Sequence, residues 1–132
     1  MFTYETAIRL HHTDAAGIVF YGRFFTLAQD CLEAFFQQHT PLASIIHSGD
    51  FSIPVVHASA DYRRPLRLSD KVVIQMTLGK LGTNSFEFEY QLKNAARQVC
   101  ADVVITHVTT NKNTGAACSI PASLRHILDH LR

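Results

Sequence analysis

Phe24-Phe25-Thr26-Leu27-Ala28-Gln29-Asp30-Cys31-Leu32-Glu33-Ala34-Phe35-Phe36 decides the architecture of this chain. Phe24, Leu27, Ala28, Cys31, Leu32, Phe35 and Phe36 recur at the three- and four-residue spacing of one helix face over about three turns. That face is broad and charges elsewhere are few, so the helix is expected to be largely buried. A buried helix needs cover, and the segments on either side carry a different period.

Before the helix, Thr3 to His12 alternates as a strand: Tyr4 and Thr6 against Glu5 and Ala7, then Ile8 and Leu10 against Arg9. Pro41 and Ser48-Gly49-Asp50 mark where the chain leaves the helix. Strands follow. Ile53 to Tyr62 is broken by Arg63-Arg64-Pro65, and Lys71 to Leu81 sets Ile74, Met76 and Leu78 on one face. After the turn Gly82-Thr83-Asn84, Phe86, Phe88, Tyr90 and Leu92 alternate strictly with Glu87, Glu89, Gln91 and Lys93. Asn94-Ala95-Ala96 turns the chain into Gln98 to Thr110, rich in Val, Ile and Thr. Asn111 to Gly115 reads as a loop, and Pro121 opens a short helix carrying Leu124, Ile127, Leu128 and Leu131. The expected order is strand, long buried helix, four strands in meander and a closing helix. A single sheet wrapped around one long helix satisfies it, an α+β domain.

With 132 residues, 47% apolar and 17% charged, residues 1–132 suit one domain with a real core and exclude a disordered chain. No apolar run approaches the roughly 20 residues of a membrane helix. The start, Met1-Phe2-Thr3-Tyr4-Glu5-Thr6, lacks a basic region followed by an apolar core, so no secretory signal is expected. A net charge of +1 argues against a dedicated nucleic-acid binder. Cys31, Cys100 and Cys118 are odd in number and widely spaced, which suits buried free thiols in a reducing cytoplasm. The eight histidines are scattered, and the adjacent His11 and His12 would point to opposite faces of a strand, so no metal site is expected. The expectation is a cytoplasmic domain acting on a small molecule.

The charge is unevenly spread. Residues 1–60 hold two bases against five acids, a balance of −3, and residues 61–132 hold ten bases against six acids, a balance of +4. Arg63, Arg64, Arg67, Lys71 and Lys80 are crowded with Asp70 as the one acid among them. Such a cluster is either a solvated face or an anchor for a phosphorylated ligand.

The stretch richest in chemistry is His12-Thr13-Asp14-Ala15-Ala16-Gly17-Ile18-Val19-Phe20-Tyr21. Asp14 stands between a strand and a buried helix. One reading is helix capping, a frequent role for Asp. The other places Asp14 at a pocket as base or nucleophile, with free N–H groups of the helix N-terminus stabilising a developing oxyanion. Gly17 would let a ligand approach the backbone closely.

Asp14 to Tyr21 resembles the active-site signature of the hotdog-fold thioesterases of the 4-hydroxybenzoyl-CoA type. The resemblance spans nearly the whole chain. Ala60-Asp61-Tyr62-Arg63-Arg64-Pro65-Leu66-Arg67-Leu68-Ser69-Asp70 is similar to the family's second strand and the turn after it. Thr114-Gly115, Ile120-Pro121 and Leu124-Arg125 resemble its C-terminal ending. Gly49-Asp50-Phe51-Ser52-Ile53-Pro54-Val55-Val56-His57-Ala58-Ser59 looks most like the branch acting on 1,4-dihydroxy-2-naphthoyl-CoA in phylloquinone or menaquinone synthesis.

The resemblance implies a hotdog fold and hydrolysis of an aromatic acyl-CoA to free acid and CoA, without a cofactor or metal. Asp14 matches the catalytic carboxylate, and the Tyr21 backbone N–H, on the first turns of the helix, matches the oxyanion donor. Gly17 lies on the same approach. His57 and Ser59 match a strand brought near the acyl pocket from a neighbouring subunit, or form an ordinary strand face. The Tyr21 ring is read as packing. Asp30 matches a position often acidic, suited equally to catalysis or a subunit contact. A homodimer or homotetramer with interface sites is implied.

Two departures stand out. His12 occupies a position commonly acidic in relatives, where a cation would keep Asp14 charged. Lys80 is the one charge in a turn that grips CoA phosphates in some relatives, and Arg63, Arg64 and Arg67 either substitute for the missing bases or face water. The alternatives are a 4-hydroxybenzoyl-CoA or short-chain acyl-CoA thioesterase, and a non-catalytic acyl-CoA-binding protein on the same fold. The last would carry an added DNA-binding segment and lack the carboxylate.

Overall fold

In the computed structural model the apolar stripe of Phe24 to Phe36 becomes α1 (Arg23–Gln37), and all seven stripe residues are buried. The structure describes the backbone of residues 1–132 and every side chain other than that of Ser48. In chain order the elements are β1 (Phe2–Ala7), α1, α2 (Leu42–Ser48), β2 (Phe51–Ser52), β3 (Val55–Tyr62), β4 (Lys71–Leu81), β5 (Ser85–Lys93), β6 (Val99–Val108), β7 (Thr110–Asn111) and α3 (Ala122–Leu128). Five strands form one antiparallel sheet in the order β1-β4-β5-β6-β3, and β2 pairs with β7 in a separate ribbon.

The period of two in the sequence becomes the inner face of the sheet. Phe86, Phe88, Tyr90 and Leu92 of β5 are buried. Ile74 and Met76 of β4 lie opposite Leu92 and Tyr90, and Val103 and Ile105 of β6 lie opposite Tyr90 and Phe88. These rows pack on α1, and burying each large side chain contributes about 1.5–3 kcal/mol against leaving it in water. Leu124, Ile127, Leu128 and Leu131 at the C-terminus join the same core.

Three expectations are corrected. The first strand stops at Ala7. Ile8 exchanges backbone hydrogen bonds with the loop before β4, its N–H donating to Asp70 and its carbonyl accepting from Ser69, both at 2.9 Å. Leu10–His12 then form a short 3-10 turn in which the Arg9 N–H donates to His12 Nδ1 at 2.9 Å. His11 and His12 are therefore not alternating strand neighbours: their rings lie 4.2 Å apart, with His12 buried and His11 exposed.

The four-strand meander holds only for β4, β5 and β6. β3 pairs with β6 at the far edge, so residues 63–70 cross the sheet's end to reach β4. Leu66 is the anchor of that crossing. It is fully buried, and its carbonyl accepts the Val19 N–H at 2.8 Å. The third correction is α2, a helix of about two turns whose seven residues are too few to show a period. Of the cysteines, Cys31 and Cys100 are buried and Cys118 is half-buried, all three free. Burial pushes the Cys31 thiol up to about 12, which makes it inert. No helix among the described residues is long and apolar enough to cross a membrane.

Candidate active site

Asp14 does not cap α1. The helix begins nine residues later, its N-cap is Gly22, and no side chain caps it. Asp14 instead builds its own tight turn. Its N–H donates to Ile18, the Gly17 N–H donates back to its carbonyl, both at 3.0 Å, and Oδ1 accepts from the Ala16 N–H at 2.8 Å. Gly17 closes the turn at φ 79°, in the region that favours glycine. Thr13 then bridges to Val19. The outcome is an exposed carboxylate with Oδ2 unpartnered among the described residues, held on a rigid loop rather than spent on a helix end.

The helix end is left open as a consequence. Arg23, Phe24 and Phe25 donate back to Phe20, Tyr21 and Gly22, while the N–H groups of Tyr21 and Gly22 have no partner among the described residues. No acidic residue occupies the first turn. Free amides at the positive end of a 15-residue helix are a ready anion site. Tyr21 stands two residues before α1 rather than on its first turn. Its ring is 65% exposed and lies on Phe20, so within one chain it is not the packing residue expected.

Asp14 and Tyr21 share a cavity of about 450 Å³ with Ile18, Val19, Phe24, Tyr62, Arg63, Arg64 and Pro65. Tyr62, at the end of β3, was not foreseen. Its hydroxyl donates to the Tyr21 carbonyl at 2.8 Å, and its ring meets Phe24 edge-on at 5.0 Å. Burial and the neighbouring Tyr21 phenol push the Tyr62 phenol up, keeping it a donor. The signal was present in the sequence: Tyr62 falls two residues after Ala60, on the same face of the strand.

The two arginines differ. Arg63 Nε pairs with Asp102 Oδ2 at 2.5 Å, and this bond holds the Asp102 carboxyl below its usual range. The Arg64 guanidinium has no ion pair or hydrogen bond among the described residues, and it is the free cation of the cleft. Lys80 is not brought here. It sits near the opposite end of β4 from Lys71, on the order of 30 Å away at strand rise, beside Glu87. Within one chain His57 and Ser59 do not line the cavity either; both are exposed on β3, opposite Thr106 and Val104.

His12 is not the cation that its sequence position suggested. It is buried, and burial and then His11 lower its pKa, so the ring stays neutral at physiological pH. The carboxylate that acts on it is Asp30, whose own pKa is raised by burial. His12 and Asp30 thus act on each other electrostatically.

The arrangement comprises an unshielded carboxylate, two free amides at a helix N-terminus, aromatic walls and a free guanidinium. It can polarise a carbonyl, deliver a base or nucleophile, and hold an anionic tail. A family model described as the thioesterase-like superfamily matches residues 8–128. A 1,4-dihydroxy-2-naphthoyl-CoA hydrolase from Synechocystis is 32% identical over 109 residues, 81% of this chain and 79% of that protein. The crystal structure of a 1,4-dihydroxy-2-naphthoyl-CoA thioesterase from Synechocystis superposes with a TM-score of 0.92 at 27% identity, covering 98% of this chain and 96% of that one. A gentisyl-coenzyme A thioesterase superposes with a TM-score of 0.83 at 28% identity, covering 93% and 98%.

Proposed function

The chain belongs to the thioesterase-like superfamily, and from that premise we propose that it hydrolyses an aromatic acyl-CoA, 1,4-dihydroxy-2-naphthoyl-CoA foremost, to the free acid and CoA. Its fold is the α+β hotdog arrangement, one antiparallel sheet around one long helix. The observation that carries the reading is the Asp14 carboxylate in one cleft with the unpartnered N–H groups before α1. The names of the Synechocystis relatives support the naphthoyl group.

In the reaction the thioester carbonyl oxygen takes the Tyr21 N–H, with Gly22 beside it, and charge developing on that oxygen meets the positive end of the helix. Asp14 either removes a proton from water as it attacks the carbonyl carbon, or attacks that carbon itself to give an anhydride that water then opens. In both routes the C–S bond breaks, the sulfur leaves as thiolate and takes up a proton, and the acyl carbon gains the oxygen of water. A thioester is activated already, so base and oxyanion donors suffice without a metal or redox group. Gly17 keeps the approach free of a side chain. Arg64, with Arg63 behind it, receives the CoA phosphates.

The working unit is a pair of chains. β3 is an edge strand whose outer row of peptide groups is unpaired, and Val55, Val56 and Tyr62 on it are exposed. Antiparallel pairing of two β3 strands buries that edge and brings His57 and Ser59 of each chain toward the other's site.

Thiol release measured across 1,4-dihydroxy-2-naphthoyl-, 4-hydroxybenzoyl-, gentisyl- and butyryl-CoA tests the function. The expected result is a kcat/KM for the naphthoyl thioester at least about tenfold above the others, the scale of discrimination an extended apolar pocket supplies. A preference for butyryl-CoA overturns the aromatic reading.

A further inference from the structure

His12 holds the foot of the Asp14 loop from both sides. Its N–H donates to the Arg9 carbonyl at 3.0 Å, and the Arg9 N–H donates back to its ring Nδ1 at 2.9 Å. This is the exchange of a capping box across the 3-10 turn Leu10–His12, with a histidine in the place usually taken by Glu or Gln. On the other side the His12 carbonyl accepts the Phe20 N–H at 2.9 Å. That bond closes a loop whose inner rungs are the Thr13–Val19 bridge and the bond from the Asp14 N–H to Ile18. Asp14 follows His12 by two residues, and the free Tyr21 N–H follows Phe20 by one, so both reach the site from this foot.

A backbone N–H only donates, so the bond from Arg9 requires a lone pair on Nδ1 and places the ring hydrogen on Nε2. Imidazolium has no lone pair: both nitrogens donate, and Nδ1–H then faces the Arg9 N–H. The ring is 4% exposed, which leaves water little room to take over the lost bond. His107, also buried, is bonded the opposite way. Its Nδ1 lies 2.8 Å from the Ile53 carbonyl oxygen and so donates, while Nε2 has no hydrogen-bond partner among the described residues. Protonating His107 breaks no hydrogen bond, whereas protonating His12 breaks the one at the foot of the loop.

We propose that His12 is a positioning residue for the hydrolysis: its neutral ring pins the Arg9–His12 turn and so keeps Asp14 and the Tyr21 N–H in register, and its protonation releases the pin. The inference rests on the thioesterase reading above and deepens it by giving the site a support under proton control, separate from the charge of Asp14. The groups around the ring set where release falls. Burial opposes the proton most, and His11 and Arg9 of the same turn and Arg23 of α1 oppose it too, while Asp30 of α1 favours it. Release therefore falls below the ordinary 6.5. The remaining nearby carboxylates are engaged elsewhere: Asp14 Oδ1 accepts from Ala16, and Asp70 Oδ2, before β4, accepts from the Arg67 N–H, both at 2.8 Å.

The test follows kcat for 1,4-dihydroxy-2-naphthoyl-CoA from about pH 8 downward, as far as circular dichroism shows the chain folded, beside an NMR titration of the His12 ring and the Arg9, Phe20 and Tyr21 amides. The wild-type chain is expected to lose kcat along an acid limb, by up to about tenfold per pH unit, with a midpoint that matches those of the His12 ring and the Arg9 amide. In His12→Asn the amide oxygen stands about where Nδ1 stands and accepts without titrating. Its kcat near neutral pH is expected within about threefold of wild type, and its limb about one pH unit or more lower. His12→Leu offers no acceptor, and its kcat falls about tenfold or more near neutral pH. A merely structural role lowers the thermal midpoint of both variants and leaves the limb of His12→Asn in place. A folded wild-type chain without an acid limb overturns the proposal, as does an unmoved limb in His12→Asn or an Arg9 amide that ignores the His12 titration. If the wild-type chain does not hydrolyse the thioester, the thioesterase reading has failed separately, and the amides decide the pin alone. Arg9, Phe20 and Tyr21 amides that titrate with the His12 ring in wild type and not in His12→Asn sustain it, and amides indifferent to the ring overturn it.

Discussion

The hydroxyl of Tyr62 donates to the carbonyl of Tyr21 at 2.8 Å, a bond between residues 41 apart in sequence that fastens the loop before α1 to the edge strand β3. The Tyr21 N–H belongs to the same short stretch of backbone, so the bond fixes where that donor points.

Tyr62→Phe removes the bond and keeps the ring contact with Phe24. A part-exposed hydrogen bond contributes about 0.5–1.5 kcal/mol, so kcat should fall roughly 3- to 10-fold while the thermal midpoint moves little. Steady-state kinetics beside a melting curve separates the two effects.

Asp14→Asn keeps the side-chain oxygen that accepts from Ala16, and so keeps the turn. Loss of the base or nucleophile should lower kcat by about 100-fold or more with KM nearly unchanged. Thiol release under saturating acyl-CoA measures it, and full retention of kcat would remove Asp14 from the mechanism.

Gly17→Ala introduces a methyl into open space, since nothing lies within 4 Å of the position a Cβ would take. The cost is the φ of 79° alone, about 1–2 kcal/mol. Urea unfolding should show that loss, and activity should fall further than stability because the same turn carries Asp14.

His107 and His12 are both buried with pKa values lowered chiefly by burial from the ordinary 6.5. For a group whose folded pKa lies below its unfolded one, the unfolded chain binds the extra proton. Stability is therefore full above about pH 6.5 and declines as pH falls through that value toward the folded pKa. Each such histidine steepens the decline by at most about 1.4 kcal/mol per pH unit. Denaturant midpoints from pH 7.5 to 5 should trace the decline, and His107→Asn should flatten part of it.

The helix stripe Phe24 to Phe36 and the alternation Phe86 to Leu92 were legible because each buries one face with an unbroken period. The bounds of β4, Lys71–Leu81, follow from the same logic. The place of β3 beside β6 was not legible, because pairing is settled by the crossing of residues 63–70, and the decisive residue there is one leucine, Leu66, inside a polar run. The strand ending at Ala7 was hidden because Ile8 and Leu10 continue its alternation while their backbone turns to other partners. Asp14 was visible as an acid before a helix, yet its freedom from capping depends on Gly22 taking the N-cap, which no local pattern announces. His107 continues the inward series Val103, Ile105, and that position marks it as a buried polar group; its unpartnered nitrogen is a fact of packing.

Where the proposed pairing along the bare edge of β3 completes the site, catalytic competence becomes a matter of mass action. A site assembled from both ends of two such strands exists only in the associated fraction of the protein. Turnover per chain then declines on dilution below the dissociation constant of the pair, and saturating ligand, by holding the two chains together, shifts that threshold to lower protein concentration.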